Sequence, residues 1–155
     1  MYKKIIFFLF IIIVKLFQAQ KINKIEFEHS NAILINSRTN IVLEIEPKKN
    51  NKQKIILDSE NKSIYNTKKI SKKKYTKICN AILKIKSDTI AVLGNSIDGS
   101  ATRITIYDNF NKKKSYYADS LHKKSEDNEF QKDFWNATKL IITAARMKME
   151  DLVDY

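Results

Sequence analysis

Hydrophobic and polar positions change period along this chain, and the changes mark its elements. Ile5 to Val14 is an unbroken apolar run, with Lys3 and Lys4 before it and Lys15 after it. Beyond it, Ile22, Ile25 and Phe27 stand among Glu26 and Glu28, a short alternation that predicts an opening strand. Ala32 to Ile35 is a second apolar run. Asn36 to Asn40 then supply turn chemistry before Ile41, Leu43 and Ile45 alternate with Val42, Glu44 and Glu46, which predicts a hairpin. Pro47 lacks the backbone donor a strand needs, so the strand ends there and Lys48 to Lys54 reads as loop. Ile55, Ile56 and Leu57 predict another strand, Asp58 to Lys62 a turn, and Ile64 and Tyr65 a short further strand.

At Ser71 the period lengthens. Tyr75, Ile78, Cys79, Ile82 and Ile85 recur at three- and four-residue steps, and Ser71 can accept from the free amides of a first turn, so the spacing predicts a helix over about 72–86. Its other face carries Lys73, Lys74, Lys77 and Lys84. Between Asp88 and Gly99 turn residues are dense, ending in the Asp98-Gly99 dipeptide. Thr102, Ile104 and Ile106 alternate after it, and Asp108 to Asn111 turns the chain into Ser115 to Ala118, a second hairpin. A last helix is expected over about 127–147, with Glu126 and Asp127 at its positive end and Arg146 and Lys148 at its negative end. Phe130, Phe134, Ala137, Ile141 and Ala144 line one stripe of it, widened by Trp135, Thr138, Ile142 and Ala145, and both read as core packing.

These elements make an α+β fold, a small antiparallel β-sheet packed by two helices. The alternative is two separate small sheets, one from each half of the chain.

The first apolar run is a different kind of element. It is too short for the roughly 20 apolar residues a bilayer-spanning helix needs, and with Lys3 and Lys4 before it and Ala19 near its end it reads as a signal peptide helix. A cut after Ala19 divides the chain into a signal peptide, residues 1–19, and a single small α+β domain, residues 20–155. That places the protein in the periplasm or outside the cell, with an uncleaved N-terminal membrane anchor as the alternative. No Cys follows the run, so lipid attachment at a processed N-terminal Cys is excluded.

Composition changes the picture in three ways. The net charge is +12, but 26 of the 29 basic residues are Lys and only Arg38, Arg103 and Arg146 are Arg. A Lys is a hydrated point charge, whereas base reading leans on the planar, bidentate Arg, so sequence-specific nucleic-acid recognition is not expected. The 24 Ile and 14 Asn beside those Lys are what an AT-rich genome favours, which makes the charge partly compositional. With 2 Gly in the chain, Gly94 and Gly99, both Gly-rich nucleotide-binding fingerprints are excluded. With Cys79 alone there is no intramolecular disulfide, and in a helical pattern without a His or Asp at helical spacing it reads as a small buried hydrophobe.

No catalytic, cofactor-binding or metal-ligating residue is assigned. His29 and His122 form no pair at metal spacing, and Phe110 stands where a calcium loop at Asp108 would need oxygen. Ser100, Asp119 and His122 can be drawn as a triad, but no nucleophile-elbow sequence surrounds Ser100.

Ile97-Asp98-Gly99-Ser100, the hairpin ending in Ser115-Tyr116-Tyr117, and the helix with Phe130, Phe134 and Leu140-Ile141-Ile142 resemble a pattern of uncharacterised small exported proteins of Bacteroidetes-type bacteria. The resemblance spans roughly Tyr75 to Met147. It implies an α+β fold and an exported address, and no catalytic residue. Asp88-Thr89-Ile90 and Asp119-Ser120-Leu121 also resemble the O-glycosylation tripeptide of that group.

Three function classes follow. The first is a non-enzymatic envelope or secreted binding module that contacts an acidic protein or an anionic envelope polymer through Lys-rich surface, touching membrane only through the N-terminal segment before cleavage. The second is a small secreted hydrolase. The third is a nonspecific binder of anionic surfaces through Lys72 to Lys74, Lys112 to Lys114 and Lys123-Lys124. The expectation is the first.

Overall fold

Side chains of alternating polarity suit a sheet with one covered face, and this is how the alternating segments fold. The computed structural model describes residues 22–31, 38–46, 54–86, 99–129 and 131–152. Its strands are β1 (Lys24–Asn31), β2 (Thr39–Glu46), β3 (Lys54–Asn61), β4 (Ile64–Ile70), β5 (Ser100–Tyr107) and β6 (Lys113–Asp119). They form a single antiparallel sheet in the order β4-β3-β2-β1-β5-β6. The first strand is central, pairing Phe27 with Ile41 of β2 on one side and with Ile104 of β5 on the other. That pairing joins the two halves of the chain, so the two-sheet alternative is set aside.

One face of the sheet is the core. Ile25 and Phe27, Ile41 and Leu43, Leu57, Ile104 and Ile106, and Tyr116 and Ala118 are buried on it, each two residues from the next along its strand. Two helices, α1 (Lys72–Ile82) and α2 (Lys132–Ala145), join the same buried cluster through Tyr75, Ile78 and Ile82, and through Phe134, Trp135, Ile141 and Ile142. Among the described residues the other face stays open, and it carries Glu26, Glu28, Asn40, Asp58 and Arg103 among its side chains. Among the described residues no helix is long and apolar enough to cross a membrane.

Several boundaries differ from the sequence expectation. β3 runs on through Asp58 to Asn61, because Asp58 and Glu60 are the open-face members of a strand whose Ser59 points inward. The turn is the two-residue Lys62-Ser63, both at positive φ, and β4 continues to Ile70. The first helix ends at Ile82 and not near residue 86. Lys84 and Ile85 then donate to Ala81 and Ile82, three-residue bonds that tighten the last turn and still bury Ile85. The last helix begins at Lys132 and not near residue 127. Lys123–Glu126 forms a separate 3-10 turn, and Asn128 accepts from the amides of Gln131 and Lys132. It ends where Arg146 adopts φ 63° and the Met147 amide reaches back to Ile142.

β2 begins at Thr39, in register with His29, so its hairpin partner is β1. It ends at Glu46, the residue before Pro47. The expected Ala32–Ile35 strand, the Asp88–Asp98 turns, the Asp88-Thr89-Ile90 tripeptide, the packing of Phe130 and the signal peptide helix lie outside the described residues.

Candidate functional site

Ser71 does what its position predicts. Its side-chain oxygen accepts from the Lys74 amide at 3.3 Å and starts α1 at Lys72. Because Tyr75, Ile78, Ala81 and Ile82 face the core, Lys72, Lys73, Lys77 and Lys84 are left toward solvent. This is an unfavourable way to charge a helix. The N-terminal end of a helix is positive, and α1 has no acidic residue in its first turn while Lys72, Lys73 and Lys74 occupy it. Lys73 and Lys77 are also like charges one turn apart. None of the ion pairs among the described residues involves these lysines, whereas Lys139 of α2 meets Glu126 at 3.1 Å.

Packing turns that face into a cleft. Between α1 and α2 lies an open cleft of about 660 Å³, walled by Lys72, Lys73 and Lys77 of α1, by Lys84 in the turn after it and by Asn136 of α2. Ala81 and Leu140 supply apolar surface, and Thr76 and Asn80 add neutral hydrogen-bonding groups. Its described lining contains no carboxylate, histidine or thiol. Chemically it presents ammonium and amide donors beside aliphatic surface, a receptor for an anionic group attached to something apolar. The lysines were legible as a helix face. Asn136 and Leu140 come from 60 residues further along the chain and carry no signal of their own.

A second, smaller cleft of about 360 Å³ lies at one end of the open sheet face. There Glu28 sits between two arginines. Its carboxylate accepts from Arg103 Nε at 2.5 Å and meets Arg38 at 3.3 Å. Sequence reasoning missed this grouping, because the three residues are adjacent only through the β1–β2 and β1–β5 registers. Both arginines are therefore engaged by a carboxylate of the same chain.

The residues that could be drawn as a triad are split by the sheet. Ser100 has the parity of Thr102 and Ile104, which point to the core, while Asp119 pairs with Ala101 and faces the other side. His122 opens the 3-10 turn, its amide donating to Ser125 Oγ at 3.2 Å. In Asp119-Ser120-Leu121, Ser120 is half-buried at φ 50° and Leu121 is buried. His29 lies on the core face, its Nδ1 2.9 Å from Thr102 Oγ1, and burial lowers its pKa against a smaller raising effect of the Leu152 backbone. Asp108, the first residue of the rejected calcium loop, instead accepts from the Phe110 and Lys112 amides and shapes the β5–β6 turn. Among the described residues no three of His, Cys, Asp and Glu gather to hold a metal. Cys79 is half-buried, and burial pushes its thiol up to about 12, with Tyr75 a smaller, opposing hydrogen-bond partner.

The lysine clusters do not gather on one surface. Lys113 starts β6 opposite Tyr107, Lys123 follows the far end of that strand, and Lys72 follows β4 on the opposite edge of the sheet. No family model matches the chain, and neither a curated protein nor a solved structure matches it.

Proposed function

We propose that the protein is a non-enzymatic interaction module of the cell envelope or the secreted fraction, exported through residues 1–19, that takes an acidic partner in the α1–α2 cleft. One observation carries the reading: lysines that join no ion pair among the described residues stand at the positive end of α1, where a helix chosen for stability would carry Asp or Glu. An acidic segment laid along the cleft would relieve that repulsion, and an aliphatic residue on it would meet Ala81 and Leu140. An anionic envelope polymer offers the charge without the apolar contact, so an acidic protein segment is the better fit.

The test is binding of an acidic amphipathic peptide, built from Glu and Leu, at low and high salt. Affinity should fall as salt rises, and Lys73→Glu with Lys77→Glu should reduce it at least tenfold, while a polyglutamate lacking the Leu residues binds more weakly. Binding that ignores both salt and the two substitutions would remove the cleft from consideration.

A further inference from the structure

The free edge at β4 holds side chains that neither the core nor the cleft explains. Among the described residues β4 is the last strand on its side of the sheet and pairs only with β3. Ile64 and Tyr65 stand there 73% and 75% exposed. The turn between the two strands has two residues, so Asn61 and Ile64 form the closing pair, and hydrogen-bonded pairs alternate from there. Ile64, Asn66, Lys68 and Ile70 thus turn their backbone groups toward β3. Tyr65, Thr67 and Lys69 turn theirs outward, to the edge.

Those three outward residues are spaced so that the strand complements its own copy. Antiparallel pairing about a two-fold axis at Thr67 sets Thr67 against Thr67, and Tyr65 against Lys69 of the second copy. Every outward amide and carbonyl is then paired. On the open face this register brings each Lys69 ammonium to a Tyr65 ring. On the helix-covered face the exposed Ile64 meets Ile70 of the second copy, a residue packed against the core. Asn66 faces Lys68, whose buried Nζ has no hydrogen-bond partner among the described residues, and offers it an amide carbonyl. The neighbouring registers lose this fit. One sets Lys68 directly against Lys68, and the other moves Lys69 out to Ser63 in the turn.

We infer that β4 is a self-association edge, through which two copies of this chain join their sheets into one continuous antiparallel sheet. The opposite edge is guarded differently. β6 begins with Lys113 and Lys114, ends with Asp119, and has Lys114 engaged over the Tyr116 ring at 4.7 Å.

The test uses the full chain as purified, its N-terminus fixed by mass spectrometry, in sedimentation equilibrium over a concentration series. The wild-type chain should approach twice its monomer mass. Tyr65→Lys sets like charge against Lys69 across the axis and should weaken the dimer at least tenfold. Thr67→Pro, which removes only an outward amide, should do the same with an unchanged circular dichroism spectrum. Adding Lys69→Glu to Tyr65→Lys should restore the dimer, a rescue that depends on this register. A chain that stays monomeric throughout, a dimer that Tyr65→Lys leaves intact, or a dimer lost on Tyr117→Lys in β6 instead would overturn the inference.

Discussion

His29 is held neutral by its surroundings. The ring sits on the core face, 2% exposed, and burial draws its pKa below the ordinary 6.5. A lowered folded pKa gives stability that is present above 6.5 and lost as the pH falls through the folded value, since only the unfolded chain takes up the proton readily. Denaturant melts taken from neutral pH downward should lose stability below about pH 6.5, by up to about 1.4 kcal/mol per pH unit for this one proton. His29→Gln should flatten the dependence in that window. Glu26 acts lower down. Burial raises its pKa, but hydrogen bonds from Lys24 and Tyr107 outweigh this and hold it below 4.5, so its contribution is lost only below that pH and survives the His29 substitution. At Cys79 a pKa of about 12 leaves far less thiolate at pH 8 than an ordinary 9.0. A thiol reagent should label Cys79 about a thousandfold more slowly in the folded chain than in denaturant, and equal rates would contradict its placement against Tyr75.

At the scale of elements, two local sequences oppose the structure they form. Lys62 and Ser63 both take positive φ, at 48° and 65°, in the two-residue turn between β3 and β4. Asn-Gly favours that geometry and side chains with a free Cβ resist it. Lys62→Asn with Ser63→Gly should stabilise the chain by about 1 kcal/mol, raising its melting temperature by roughly 2–4 °C. α1 is the second case. Lys73→Glu replaces a cation at a helix N-terminus with an anion and should stabilise the fold by roughly 0.3–1 kcal/mol while it weakens acidic-peptide binding. Opposite signs in the two measurements separate a functional charge from a compositional one. β3 and α2 show why sequence boundaries failed where they did. Asp58 and Glu60 look like turn residues, yet in a strand with one open face they are the solvent-facing positions. Glu126 and Asp127 look like a helix start, yet the amides that open α2 are met by Asn128.

Across the whole molecule, period two and period 3.6 were legible wherever one face is buried, as at Ile41 and Leu43 or Tyr75 and Ile78. Order was not. Nothing local says that β1 must lie between β2 and β5, and the Arg38–Glu28–Arg103 grouping and the Asn136 side of the cleft depend on such pairings. Tertiary arrangement also sorts the charge. Acids and bases meet on the open sheet face, where Lys24 pairs with Glu26 and Lys54 with Glu46, while the lysines of α1 join no ion pair among the described residues. Salt therefore acts in two directions. It screens exposed ion pairs, each contributing about 0–1 kcal/mol, and it screens the repulsion within a chain of net charge +12. The pairs are exposed and individually weak, while Lys72, Lys73, Lys74 and Lys77 crowd like charge onto one short helix, so relief of repulsion should win. Melting temperature should rise as sodium chloride is added up to a few tenths molar, where the screening length approaches the spacing of neighbouring lysines. In Lys72→Glu with Lys73→Glu that rise should shrink or reverse. A wild-type chain that loses stability over this salt range would show that the open-face ion pairs, and not the α1 lysines, dominate its electrostatics.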